Sequence, residues 1–125
     1  MTTAQLITSL IEEHLPANIL IIGRAGSGKS IVASAILAGP IVPVIIEAQS
    51  ERQLPPGCLV GAAAIIMLRV ADKETAESLS MYTGGRMGAD EIMGLPDLVG
   101  YFVVPDTDPV KLELRGCCRG KNLFP

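Results

Sequence analysis

The chain is poor in charge, in aromatic side chains and in cysteine, and each shortage excludes a class of protein. Only 18% of its 125 residues are charged and 49% are hydrophobic, which is typical of a folded chain and excludes a disordered one. Aromatic residues make up 3% and tryptophan is absent, so the core must be aliphatic, which suits a buried parallel sheet. The 3 cysteines, Cys58 and the adjacent Cys117 and Cys118, form neither a disulfide framework nor a CxxC metal motif, and we interpret them as reduced thiols.

Membrane and secretory segments are not expected. The longest uncharged run, 30–46, is interrupted by a glycine and two prolines, so it does not predict a membrane span. The first residues carry no basic cluster and are soon followed by Glu12 and Glu13, so they do not predict a signal peptide. We therefore expect a cytoplasmic protein.

The charge that is present is unevenly distributed. Residues 1–110 hold 6 basic and 12 acidic side chains, whereas residues 111–125 hold 4 basic side chains and a single acid. Overall charge therefore does not predict nucleic-acid binding, because a net acidic surface repels phosphates. Only the basic tail offers a weak contact to a DNA backbone, and the alternative is a frayed terminus.

Short apolar runs alternate with helical patterns along most of the chain. They predict a single α/β domain, a three-layer P-loop NTPase-like sandwich with a mainly parallel sheet of about five strands. Its parts are an N-terminal helix within 1–15, a core over 16–109, and an edge strand with a basic tail over 110–125. The predicted strands are 18–23, 41–48, 62–70, 98–104 and 110–116, and the predicted helices are 2–14, 29–40 and 72–85 with a short turn within 88–97.

The most informative stretch is GRAGSGKS at 23–30, which follows an apolar strand and opens a helix. Its pattern, G-x-x-x-x-G-K-S, is that of a phosphate-binding loop: glycines let successive N–H groups point at phosphate oxygens, and the helix adds its positive end. In this pattern the Lys29 ammonium reaches the β- and γ-phosphates, and the Ser30 hydroxyl ligates Mg²⁺. The predicted nucleotide-binding residues are Gly23, Arg24, Ala25, Gly26, Ser27, Gly28, Lys29, Ser30 and Ile31.

Four segments resemble one known family. PANILIIGRAGSGKSIVASAIL, VIIEAQSERQLP, AAAIIMLRVADKETAESLSMYTGG and GADEIMGLPDLVGYFV are similar to parts of the FtsK/SpoIIIE family of DNA-translocating ATPases, with HerA and the type IV coupling proteins as relatives. The resemblance covers residues 15–105. It implies ATP and Mg²⁺ as ligands, ATP hydrolysis in a homo-oligomer, and DNA as a partner.

The resemblance is incomplete where the family has its Walker B strand. That apolar strand ends in Asp-Glu, holds Mg²⁺ and orients the attacking water. No apolar strand of this chain ends in Asp-Glu, and Glu47 is the sole acid at the end of the second strand. If that strand replaces Walker B, the aspartate position is Ile46, which cannot hold magnesium. We favour the other alignment, in which Gln49 senses the γ-phosphate. The predicted catalytic residues are thus Lys29, Gln49 and, as a weak base, Glu47, whose alternative role is a solvated acid.

Three arginines are candidates for a finger that reaches a neighbouring subunit. A finger stabilises charge on the transferred phosphoryl group. Arg86, in GGRMG, lies in a glycine-rich loop, Arg52 follows the second predicted strand, and Arg69 lies near the end of the third. Each also fits an ordinary surface or sheet-end arginine.

Three functions remain open from the sequence. The first is a compact ATPase of the FtsK/HerA type that moves or remodels DNA. The second is a nucleotide-binding regulatory or assembly module that has lost hydrolysis, as the missing Asp-Glu strand indicates. The third is a shortened chain that folds and binds nothing. A small P-loop kinase is less favoured, because the chain shows no lid-like arginine cluster and no acceptor site.

Overall fold

A computed structural model describes residues 2–13, 18–37, 44–59 and 61–114 of the chain. Each predicted strand and helix that falls in these ranges is present, with ends that differ by a few residues. His14, the Gly39-Pro40 end of the second helix, the first residues of strand 41–48 and the basic tail lie outside them. The elements are α1 (Thr3–Glu13), β1 (Asn18–Ile22), α2 (Lys29–Leu37), β2 (Val44–Ala48), a 3-10 turn (Glu51–Gln53), β3 (Ala64–Met67), α3 (Lys73–Tyr82), α4 (Ala89–Met93), β4 (Val99–Val103) and β5 (Val110–Glu113).

The five strands form one mixed sheet in the order β2-β1-β3-β4-β5. β1 pairs in parallel with β2 and with β3, whereas β4 is antiparallel to both β3 and β5. The prediction of a mainly parallel sheet is therefore correct only for the first three strands. Two helices separate β3 from β4 and return the chain to the edge it left, and a short turn joins β4 to β5, so both of these pairs are antiparallel.

Alternate residues of β1 face two separate aliphatic cores. Ile19 and Ile21 pack with residues of α1 and α2, while Leu20 and Ile22 pack with residues of α3 and α4. All four side chains are buried, so β1 is covered on both faces, as its unbroken apolar run predicts. The result is an α/β architecture with helices on each face of the sheet.

β5 is an edge strand, as the alternation of its residues predicts. Leu112 is buried, whereas Lys111 and Glu113 on either side of it are exposed. The Thr3 hydroxyl donates to the Glu113 carbonyl over 2.8 Å, which fastens the start of α1 to the end of this strand. In the ranges that the structure describes, no helix is long and apolar enough to cross a membrane.

α3 begins at a capped end that also holds a neighbouring loop. Asp72 is its N-cap and accepts the Thr75 N–H over 3.0 Å and the Thr75 hydroxyl over 2.6 Å. The same hydroxyl oxygen accepts the Glu51 N–H over 3.0 Å, so the cap is linked to the loop that follows β2. Burial alone would raise the pKa of Asp72, but the hydrogen bonds from Thr75 and the charge of Arg52 outweigh it, and the pKa lies below 3.8.

Replacing Asp72 with alanine is expected to lower the free energy of unfolding by about 1 kcal/mol at neutral pH, since a cap bond is lost. Because the pKa of Asp72 is lowered in the folded chain, its contribution is present above pH 3.8 and lost as the pH falls through the folded pKa. Urea unfolding at pH 7 and near pH 3 measures this. The control is Glu77→Ala, which removes an exposed acid from the same helix. Equal losses for the two variants at pH 7 would contradict the assigned cap.

Candidate functional site

The glycine loop 23–28 lies at the edge of the sheet where β1, β2 and β3 all end. Its backbone is tied to both neighbouring strands: the Gly23 N–H donates to the Ala48 carbonyl over 3.1 Å, and the Arg24 N–H donates to the Arg69 carbonyl over 2.8 Å. The carboxyl edge of parallel strands is the common position of ligand sites in α/β proteins. The two backbone hydrogen bonds hold the loop on both sides before the chain enters α2.

Two glycines in the loop take a backbone conformation that other residues avoid. Gly26 has φ +81° and Gly28 has φ +117°. A Cβ at Gly28 would also lie 3.1–3.2 Å from the side chains of Leu68, Leu98 and Leu114, so this position needs glycine for two reasons. A Cβ at Gly26 would meet no atom within 4 Å, so the space beside Gly26 is open.

The other residues of the loop are held in place by hydrogen bonds within the loop. The Lys29 ammonium donates to the Gly23 carbonyl over 2.6 Å, which folds the side chain back across the loop. Ser27 is buried, and its hydroxyl donates to the Arg24 carbonyl over 2.7 Å. The first turn of α2 closes with the Val32 N–H on the Gly28 carbonyl, so the preceding N–H groups have no acceptor inside the helix. Those N–H groups and Lys29 make this end of α2 electropositive.

An open cavity of about 440 Å³ lies over the loop and the start of α2. Its size is in the range of small-molecule sites. The predicted catalytic residue Gln49 and most of the predicted binding residues lie together in its wall. The lining residues are Ala25, Gly26, Gly28, Lys29, Ser30, Ile31, Gln49 and Leu98.

Three of the predicted binding residues do not line the cavity. Gly23 and Ser27 are buried within the loop, where their hydrogen bonds stabilise its shape. Arg24 turns its side chain to Asp97, with 3.4 Å between the guanidinium and the carboxylate. These three residues shape the loop. A ligand in the cavity could touch the other six predicted binding residues.

Glu47 acts on the site through charge. It is exposed near the end of β2, opposite Ile21 in the register, and is not part of the cavity wall. Burial lowers the pKa of Lys29 below 10.5, and the negative charge of Glu47 opposes this shift. The charge of Glu47 therefore favours the ammonium form of Lys29, against the effect of burial.

Gln49 is held in place by the loop that follows it. Its N–H donates to the Gln53 side chain over 2.6 Å, across the 3-10 turn. Within that turn, Glu51 accepts the Ser78 hydroxyl over 2.8 Å, in addition to the backbone bond to Thr75. The position of Gln49 thus depends on α3 and its cap, although α3 lies far from the glycine loop in sequence.

The segment Pro96-Asp97-Leu98 lies against the loop, and the sequence did not single it out. Asp97 forms ion pairs with Arg24 and with Arg69. The Nε atoms of both arginines are buried and have no hydrogen-bond partner in the described parts of the chain. Leu98 lines the cavity with φ +65°, a conformation that a leucine rarely adopts. No local pattern indicates this contact; it follows from β4 starting at the edge where β3 ends.

The other finger candidates are also paired within the chain. The guanidinium of Arg52 lies 3.2 Å from the Glu74 carboxylate. Arg86 donates to the Asp108 carboxylate and to the Thr83 carbonyl, both over 3.1 Å. Neither arginine lines the cavity, so a role for either one in a neighbouring subunit would require its present pairs to break.

The described residues offer few groups for a metal ion. In those ranges no three His, Cys, Asp or Glu side chains come together as a metal site. Ser30 is exposed and lines the cavity next to Lys29. Magnesium is commonly held by one or two carboxylates together with phosphates and water, and among the described lining residues only the Ser30 hydroxyl corresponds to the motif's magnesium ligand.

The fold and the site define an α/β protein with a glycine loop between β1 and α2. Searches against protein-family models, curated proteins and solved structures found no match.

Replacing Glu47 with glutamine is expected to lower the pKa of Lys29 further, because the opposing negative charge is removed. The measurement is a titration of the Lys29 side-chain resonances by NMR. Glu77→Gln is the matched control, because Glu77 is an exposed acid on α3. If the two variants gave the same pKa for Lys29, Glu47 would not lie near the ammonium group.

Proposed function

We propose that the chain is an ATP-binding protein of the P-loop class, whose cavity over α2 takes the triphosphate together with Mg²⁺. The observation that carries the proposal is the conformation of the glycine loop. Gly26 and Gly28 have positive φ angles, and the Lys29 ammonium donates to the Gly23 carbonyl at the start of the loop. A loop of this shape at a helix N-terminus is a site for phosphate groups. The cavity is open and has the size that such a ligand needs.

Each lining group has a role in this proposal. An ammonium has three donors, so Lys29 can keep its bond to the Gly23 carbonyl and still contact the β- and γ-phosphates. The N–H groups of the first turn of α2 bind the remaining phosphate oxygens. The Ser30 hydroxyl would hold Mg²⁺, which when bound neutralises charge on the β- and γ-phosphates.

Hydrolysis in a DNA-translocating homo-oligomer is the activity that the resemblance to the FtsK/HerA family adds. In that reaction water attacks the γ-phosphorus, the bond to the β-phosphate oxygen breaks, and ADP and phosphate leave. Gln49 supports it, because its side chain lines the cavity and its amide can hold the attacking water. Glu47 would take the proton of that water. The tail that would contact DNA lies outside the described residues.

Binding without turnover is the second candidate. It is favoured by the absence of any acidic side chain from the described cavity wall, and by the position of Glu47 outside that wall. A catalytic base must come within hydrogen-bond reach of the attacking water, directly or through one further water. In this case the protein would respond to the nucleotide as a regulatory or assembly module.

ATP with Mg²⁺, at about 100 times its Kd, is expected to raise the free energy of unfolding by about 2.7 kcal/mol. Lys29→Met should abolish the rise, because the ammonium that reaches the phosphates is lost. Lys73→Met removes an exposed lysine at the start of α3 and should leave it intact. Denaturant unfolding with and without ligand measures the effect. No rise in the unchanged chain would favour a protein that folds and binds nothing.

Release of phosphate from ATP, measured with and without duplex DNA, decides between turnover and binding alone. Turnover by the unchanged chain that falls at least about 100-fold in Glu47→Gln would assign Glu47 as the base, in line with the usual contribution of general bases. Gln49→Ala should reduce the rate and leave ATP binding nearly unchanged. Tight binding with the same background rate in all variants and in Lys29→Met would support the regulatory module.

A further inference from the structure

Two backbone hydrogen bonds fix Leu98 at the cavity wall, one through its N–H and one through its carbonyl. Its N–H donates to the Ser27 carbonyl over 3.2 Å, and its own carbonyl accepts the Leu114 N–H over 2.8 Å. These bonds hold the residue at φ +65° and bring its side chain against Gly28. An unfavourable conformation that the surroundings impose is often found where a side chain has a function.

Asp97 adds a second anchor to the same segment. Its carboxylate pairs with Arg24 in the glycine loop and with Arg69 after β3. Leu98 is therefore connected to the loop through its own backbone and through its neighbour. A side chain fixed in this way presents a preformed surface to a ligand, which loses little freedom on contact.

The sheet order separates Gln49 from Leu98, and the apolar lining side chains are Leu98, Ile31 in the first turn of α2 and Ala25 in the loop. Gln49 follows β2, Leu98 precedes β4, and β1 with the glycine loop lies between these strands. The polar lining side chains, Lys29, Ser30 and Gln49, come from α2 and from the β2 side. A ligand with a charged tail and a flat apolar head would place its tail toward Gln49 and its head toward Leu98.

We infer that Leu98 is the nucleobase platform of this site and packs on the face of the base of a nucleoside triphosphate. The inference rests on the proposed function and states how the bound nucleotide is oriented in the cavity. Every nucleobase has a flat apolar face, and a leucine side chain has neither a donor nor an acceptor for its edge. Leu98 therefore holds the base without selecting it, and ATP and GTP bind with similar affinity.

Calorimetric titration of the full chain with Mg²⁺ and three probes tests this inference: ATP, GTP and inorganic tripolyphosphate. The unchanged chain should bind ATP and GTP within about threefold of each other, and tripolyphosphate roughly tenfold more weakly, since the base contact is missing. Leu98→Ala should weaken ATP and GTP roughly tenfold more than it weakens tripolyphosphate, because the lost packing on Gly28 acts on all three probes and the lost base contact acts on the nucleotides alone. Leu98→Met, which keeps an apolar side chain of similar volume, should restore nucleotide binding.

Leu10→Ala is the control, because it shortens a half-buried leucine on α1 that does not line the cavity. It should leave all three affinities unchanged. Equal weakening of ATP and tripolyphosphate by Leu98→Ala would overturn the inference, because Leu98 would then act on the shape of the loop. So would tripolyphosphate binding as tight as that of ATP, or a preference above about tenfold for one base.

Failure of the proposed function gives a different result. If the unchanged chain bound none of the three probes, the phosphate site would be wrong, and the base platform would fall with it. Tripolyphosphate binding that is kept in Leu98→Ala and lost in Lys29→Met would support the phosphate site. The response of the nucleotides to Leu98→Ala then decides the inference alone.

Discussion

The packing around Gly28 is the constraint on which the rest of the site depends. Leu68 follows β3, Leu98 precedes β4 and Leu114 follows β5, and all three side chains come close to the bare backbone of this glycine. The loop can approach these strands because position 28 has no Cβ, and its φ of +117° turns the chain into α2. The shape of the glycine loop and the packing of this sheet edge therefore require each other.

The two sides of the cavity are supported in different ways. Near Gln49, support comes through the 3-10 turn from buried Thr75 and its partner Asp72 at the start of α3. Near Leu98, it comes from backbone hydrogen bonds and from half-exposed ion pairs of Asp97. Exposed ion pairs contribute little to stability, so the backbone bonds matter more for Leu98. A change in α3 should thus affect the Gln49 side of the cavity before it affects the Leu98 side.

The features that the sequence predicts well are those that local chemistry determines. The unbroken apolar run predicts β1. The spacing of the glycines and of the lysine predicts the glycine loop from neighbouring residues alone. The mixed sheet was missed, because strand direction depends on where the two helices after β3 return the chain. Asp97 and Leu98 were missed for the same reason: they reach the loop only through the start of an antiparallel strand. Arg24 was assigned to the ligand by its place in the motif, while its side chain pairs with Asp97.

Binding and hydrolysis place different demands on such a chain. Phosphate binding needs one short loop, one helix end and one lysine, and in this chain the glycine loop packs against Leu68, Leu98 and Leu114. Hydrolysis also needs a carboxylate within hydrogen-bond reach of a water, whereas Glu47 lies outside the described cavity wall and its charge opposes the lowering of the Lys29 pKa by burial. A carboxylate that stabilises the ammonium also repels the phosphates that the ammonium attracts. Glu47 can therefore contribute to turnover only where Mg²⁺ and Lys29 together outweigh that repulsion. Because this balance depends on the distances between the charged groups, the hydrolytic step is far more sensitive to local geometry than the binding step.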